Sequence, residues 1–244
     1  NSGANPSVEI KQTEQAYKLS GEAQGSTYHI TYYAAKKTIA KQEVDSMLQL
    51  IDASLSTYDS NSLITALNAA DSNYVEFDDY NNYFSENIRL SRQVYQITGG
   101  AFDPTVAPLV NGWGFGFGES EEMTQQRVDS LLQYVGFDFS EVRLSKTDDR
   151  DPAHPGRMFY KKHLKTTIDF NAIAQGFSVD VLADYFVNRG VTQYMIELGG
   201  EVKVGDAKPD GKAWNLGVDK PKSLDEAREL QAVLQLSNTA IATS

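Results

Sequence analysis

Cysteine is absent from the 244 residues of this chain, which excludes disulfides, thiolate metal sites and cysteine nucleophiles together. Histidine is almost as scarce. His29, His154 and His163 show no HExxH spacing, and each is read as structural or solvated. No apolar run approaches the roughly 18–20 residues that span a bilayer. Positive charge is short as well: 22 Lys and Arg stand against 33 Asp and Glu, for a net charge of -11. Without a basic cluster, such a chain is poorly matched to the phosphate backbone of nucleic acid. No GxSxG nucleophile elbow, Walker A loop or GxGxxG fingerprint is present, and no repeat of 20–50 residues stands out.

What remains is an ordinary globular composition. Apolar residues make up 41% and charged residues 23%, with 13 Tyr, 11 Phe and 2 Trp. That length allows one large domain or two small ones, with enough apolar surface for a real core. Residues 1–8 (NSGANPSV) are small and polar, and they read as a tether left by leader removal or as a cloning boundary. Residues 1–20 are accordingly taken as tether and lead-in, and 21–244 as the folded domain.

Residues 26–33 (STYHITYY) alternate and predict a strand. Val44, Met47, Leu48, Ile51 and Leu55 fall on one face of a helix. A second helix is predicted over residues 79–98, ending at Gly99-Gly100. A third carries Val128, Leu131, Leu132 and Val135, with Gly136 as its C-terminal cap. Residues 146–162 read as a solvated loop. Residues 166–170 read as a strand leading into a helix over 173–189 that Gly190 closes. Strands are predicted at 193–198, 201–204, 214–218 and 230–236. Helices come early and strands late with little βαβ alternation, which points to an α+β fold with mixed or antiparallel sheets and two candidate subdomains.

Two segments stand out chemically. Residues 99–108 (GGAFDPTVAP) place Asp103 just after a helix end, where it suits an Asx-type turn. In residues 168–180 (IDFNAIAQGFSVD), Asp169 follows an apolar stretch and Asn171 occupies a helix N-cap position. Ala172, Ala174 and Gly176 keep the first turn small, so its N–H groups are open to an anion or simply pack close to a sheet. Residues 111–118 (NGWGFGFG) read as a tight turn packing its rings. Residues 196–204 (IELGGEVKV) read as two strand pieces hinged on Gly199-Gly200.

Taken in order, residues 24–28 (QGSTY), 55–59 (LSTYD), 99–108, 113–116 (WGFG), 168–180, 196–201 (IELGGE) and 240–244 (AIATS) resemble the ApbE family. These are the FAD:protein FMN transferases, once described as thiamine-biosynthesis lipoproteins, and the resemblance covers almost the whole chain. It implies an enzyme that splits FAD and places FMN, through a phosphoester, on a Ser or Thr of an acceptor protein, with Mg²⁺ required. It puts FAD contacts at Tyr58, Ala101, Phe102, Asp103 and Asp169, and a Mg²⁺ ligand at the carbonyl of Ala172. Gln24 stands where the family usually has Met, and Gln175 where Lys is common; both are assigned to the flavin site, with one positive charge fewer than the family pattern. That pattern continues beyond Ser244 through a His-containing segment and an Asp/Thr segment of the metal site. The chain is therefore expected to lack part of that site, and no catalytic base is named. The resemblance also implies an exported, periplasmic or envelope protein with a lipid anchor before residue 1. Two other readings stay open: a non-catalytic FAD-binding module, and an envelope domain that binds sugar or a partner on an aromatic platform.

Overall fold

The alternation of residues 26–33 is that of strand β2, Ser26–Ala34. Tyr28, Ile30 and Tyr32 are buried on one side, whereas Thr27 and His29 are exposed. The computed structural model describes residues 14–115, 122–138, 142–146, 156–220 and 229–243. In it the chain divides into two compact units, residues 1–46 with 179–244 and residues 47–178.

In the first unit β2 pairs antiparallel with β1, Gln15–Ala23. The sheet thus already includes residues that the sequence reading placed in the lead-in. The two strands join through Gln24 (φ 53) and Gly25 (φ 71), the left-handed pair of a type I′ turn, whose twist matches that of the strands. The other edge of β2 pairs with β6, Tyr194–Leu198. That register sets Tyr28, Ile30 and Tyr32 opposite Leu198, Ile196 and Tyr194, so the buried face runs across both strands. Strands β7, Glu201–Val204, and β10, Thr239–Ile241, extend the sheet to the order β1-β2-β6-β7-β10. A separate hairpin, β8 (Trp214–Asp219) with β9 (Leu230–Leu236), packs Trp214 against Val202 and Val204.

Helix α1, Lys41–Leu55, and helix α6, Ala174–Asn188, each cross the division between the units. The predicted stripe of α1 is real: Val44, Leu48, Ile51 and Leu55 are all buried. Glu43 accepts the Ala40 N–H at 2.8 Å, half of a capping box. Within the first unit, Phe186 of α6 meets Tyr32 and Tyr194 edge-on at 5.4 and 6.0 Å.

The second unit holds an antiparallel sheet of order β3-β5-β4, made of Tyr74–Asp78, Gly156–Lys161 and Val142–Lys146. Helices α2 (Leu63–Ala69), α3 (Tyr83–Ile97), α4 (Ala107–Gly112) and α5 (Gln125–Leu132) accompany it. Phe84 sits at its centre, packed edge-on against Phe77, Phe159 and Phe170 at 5.4, 5.8 and 5.5 Å. Burying one such ring is worth about 1.5–3 kcal/mol.

Several expectations need correction. Residues 146–162 are not one solvated loop, because residues 156–161 form β5, whose inward positions are Arg157, Phe159 and Lys161. Arg157 is buried because it holds the entry to α3, donating from Nε to Ser85 Oγ and from Nη2 to Asn82 Oδ1 at 3.0 and 2.7 Å. Gly136 does not cap α5. That helix ends at Leu132 with Gln133 as its cap, and the Gly136 N–H instead donates to Thr105 Oγ1 at 2.7 Å. Residues 166–170 form no strand; their backbone groups bond to side chains and turns. His154 and Gly116–118 of the glycine-aromatic stretch lie outside the described residues.

Candidate functional site

The predicted site residues enter through two turns. The first follows α3, where Gly99 (φ 61) and Gly100 (φ 87) take left-handed conformations that a Cβ would strain. Gly100 N–H closes back on Tyr95 O at 2.8 Å, and Phe102 N–H donates to Thr98 Oγ1 at 3.1 Å. Asp103 then makes the Asx-type turn expected of it, accepting from Thr105 N–H at 2.8 Å and from Thr105 Oγ1–H at 2.5 Å. Thr105 is fully buried, so Asp103 is anchored to the interior of the unit.

The second turn carries Asp169. Its N–H donates to Pro104 O at 2.7 Å, which ties it to the residue after Asp103. Its carboxylate accepts the Asn171 N–H at 2.6 Å and the Asn171 side-chain amide at 3.2 Å. Asp169, not Asn171, is therefore the acceptor at the approach to α6, which corrects the N-cap expectation. Burial pushes the Asp169 carboxyl above the ordinary carboxylate range, against the lowering pull of the Asn171 N–H.

Asp169 and Tyr58 line one cavity of about 310 Å³, together with Asn68, Asn111, Phe115 and Asn171. This volume lies at the small end of ligand pockets. Tyr58 is 66% exposed and Phe115 81% exposed, so neither ring is core packing. Trp113 is also exposed, which overturns the reading of this stretch as a turn that packs its rings. Exposed aromatic faces beside a half-buried carboxyl and several amides suit a flat, polar-edged ring system.

The other predicted residues are placed less directly. Ala101, Phe102 and Asp103 do not line the cavity; their segment meets it through the Pro104–Asp169 bond. Ala172 is exposed in the turn before α6, and Gln175 lies in the first turn of α6. Gln24 belongs to the other unit, in its left-handed turn. A second cavity of about 450 Å³ shares Asn111 and Thr167 with the first and is lined by Arg127 and Lys165. It is the larger of the two, yet it contains none of the predicted site residues.

A cation at the Ala172 carbonyl has one suitable oxygen donor, since Mg²⁺ takes oxygen ligands. Among the described residues, no group of three or more His, Asp or Glu is placed to hold a metal. The donor set that the described residues offer Mg²⁺ is therefore partial.

Sequence reasoning did not anticipate Asn68. Its side-chain amide donates to Ile168 O and accepts from Ile168 N–H, both at 2.8 Å. A single Asn near a helix end carries no motif, so only the fold reveals this bridge. His29 is as expected, exposed beside Glu197 with Nδ1 and Oε2 3.0 Å apart.

The fold and this cavity define an α+β protein with antiparallel sheets and a recess lined by exposed aromatic rings, amides and the Asp169 carboxyl. The ApbE family model matches residues 24–244, and the chain belongs to that family. It is 31% identical over 243 residues to the FAD:protein FMN transferase of Vibrio cholerae, covering 96% of this chain and 67% of the relative. It is 29% identical to that of Haemophilus influenzae, covering 93% and 64%. Among solved structures, the flavin transferase ApbE from Vibrio cholerae matches with a TM-score of 0.77 at 28% identity, covering 95% of this chain and 72% of that one. The apo flavinyl transferase ApbE of Pseudomonas stutzeri matches with a TM-score of 0.76 at 28% identity, covering 95% and 69%. The chain thus spans about two thirds of the length of these relatives.

Proposed function

We propose that this protein is an FAD:protein FMN transferase. Its acceptor's Ser or Thr oxygen attacks the FMN phosphorus of FAD. A new P–O bond forms to the acceptor, the pyrophosphate P–O bond breaks, AMP leaves, and the hydroxyl proton is lost to a base. The observation that carries the reading is the joint placement of Tyr58 and Asp169 on one cavity, with Asp169 bonded to Pro104 beside Asp103.

In this reading Tyr58 offers a π-face to a ring of FAD. Asp169 recognises that ring's polar edge, accepting a hydrogen bond when ionised and donating one when protonated. The work of the residues is positioning, which is the larger part of phosphoryl-transfer catalysis. We further propose a Mg²⁺ requirement, with the Ala172 carbonyl as one ligand. Bound there, the ion would neutralise charge on the pyrophosphate. An exported location with a lipid anchor is proposed from the family resemblance alone, and cell fractionation tests it.

The decisive test incubates the protein with FAD, Mg²⁺ and a candidate acceptor, then reads flavin fluorescence on the denatured acceptor band. Covalent flavin that disappears when the target Ser or Thr becomes Ala supports the transferase. FAD that binds but is never transferred favours the non-catalytic module. Failure to bind FAD at all overturns the flavin reading.

A further inference from the structure

The Asp169 turn is held from two sides, and the second holder has no assigned role. On one side, Pro104 O takes the Asp169 N–H. On the other, the Asn68 side chain satisfies both backbone groups of Ile168, imitating one rung of a β-ladder where no strand is formed. Ile168 is itself buried, so those two groups have little access to water. Asn68 sits near the C-terminal end of α2, and that end is fixed by an unusual group. The ammonium of Lys161, a fully buried side chain, donates to Asn68 O at 2.8 Å and to Leu67 O at 3.3 Å. Burying a lysine ammonium against two backbone carbonyls is costly, and here it caps the last carbonyls of a helix. Thr65, Asn68 and Ala69 of this helix also line the cavity.

We infer that Asn68 is a positioning residue: it sets the depth and direction of Asp169 in the cavity by clamping Ile168, from a helix end fixed by Lys161. The assignment rests on the flavin reading of this cavity. A side-chain amide suits the task because it offers a donor and an acceptor side by side, matching the C=O and N–H of one residue. Aspartate in its place would keep the acceptor but set a second oxygen against Ile168 O.

The test is FAD affinity by fluorescence titration for the wild type, Asn68→Ala, Asn68→Asp, Asp169→Ala and the Asn68→Ala/Asp169→Ala pair, each checked for thermal unfolding and for amide exchange at Ile168. Expected is at least tenfold weaker FAD binding in Asn68→Ala and in Asn68→Asp, faster exchange at Ile168, and no further loss when Asn68→Ala is added to Asp169→Ala. The isosteric Asn68→Asp keeps the test open if the alanine variant unfolds. Wild-type affinity in a folded Asn68 variant overturns the inference. So does an equal loss in both backgrounds, which would mark general destabilisation. A wild-type protein that does not bind FAD removes the flavin reading and this assignment with it, whereas loss without coupling removes this assignment alone.

Discussion

The N–H of Asp169 donates to the carbonyl of Pro104 at 2.7 Å, joining two segments that lie more than sixty residues apart. Each segment spends side chains on its own turn: Asp103 on Thr105, Asp169 on Asn171. Between them the backbone bond fixes where the Asp169 carboxyl stands at the edge of the cavity.

Replacing Asp169 by Ala should therefore weaken FAD binding roughly tenfold to a hundredfold, matching the ~1.5–3 kcal/mol of a hydrogen bond to a charged group. Thermal stability should change little, because the carboxyl is not part of the core. Parallel FAD titration and thermal unfolding of the two proteins check this, and unchanged affinity would remove Asp169 from the site.

The same carboxyl gives a pH signature. Its folded value lies above the ordinary one because burial disfavours the charge. Between those two values the folded protein keeps a proton that the unfolded chain has released. The stability contributed by this group is thus fully present in acid and is lost as the pH rises through the folded value. Asp169→Asn cannot titrate, so its stability relative to the wild type should climb across that window. Urea denaturation at a series of pH values reads the difference; parallel curves would show that the carboxyl is not perturbed.

Tyr58 separates stacking from packing. With its ring mostly exposed, Tyr58→Phe should keep FAD affinity, and Tyr58→Ala should lose about 0.5–1.5 kcal/mol of it, a few-fold to tenfold in Kd. Both variants should melt within a degree or two of the wild type, and a large drop in melting temperature for Tyr58→Phe would contradict this.

Gly21 lies opposite Tyr28 in the β1–β2 register, and a Cβ there would come within 2.6 Å of Tyr28 Cε1. The Tyr28 ring cannot yield easily, because it is fully buried and its hydroxyl donates to Asp45 Oδ1 at 2.6 Å. Gly21→Ala should cost about 1–3 kcal/mol of stability by overpacking. Tyr28→Phe, which keeps the ring and loses the hydrogen bond, should cost less. Chemical denaturation of both orders the two effects.

Lys161→Met keeps the stem and removes the donor from Leu67 O and Asn68 O. Leaving buried carbonyls unpaired should destabilise the protein by about 1–3 kcal/mol. Equal or higher stability would mean that the cost of burying the ammonium exceeds the value of its bonds, and denaturant midpoints decide it.

By itself the sequence determined the pieces that depend on periodicity and on local turn chemistry. The alternation of Tyr28, Ile30 and Tyr32, the stripe of Val44, Leu48, Ile51 and Leu55, and the Asx turn of Asp103 were all legible, since each uses neighbours close along the chain. The family was legible too, from ordered motifs that include Asp169 and Tyr58. Residues 166–170 misled because a short run of β-branched and aromatic residues (TTIDF) reads as a strand, whereas Asn68 and Pro104 supply its hydrogen-bond partners from afar. β5 misled because Arg157 and Lys161 look solvated until the fold brings Ser85, Asn82 and the end of α2 to meet them. Only tertiary structure could decide which side chains satisfy the buried backbone of the site. A hydrogen bond between residues a hundred positions apart leaves no periodicity in the sequence.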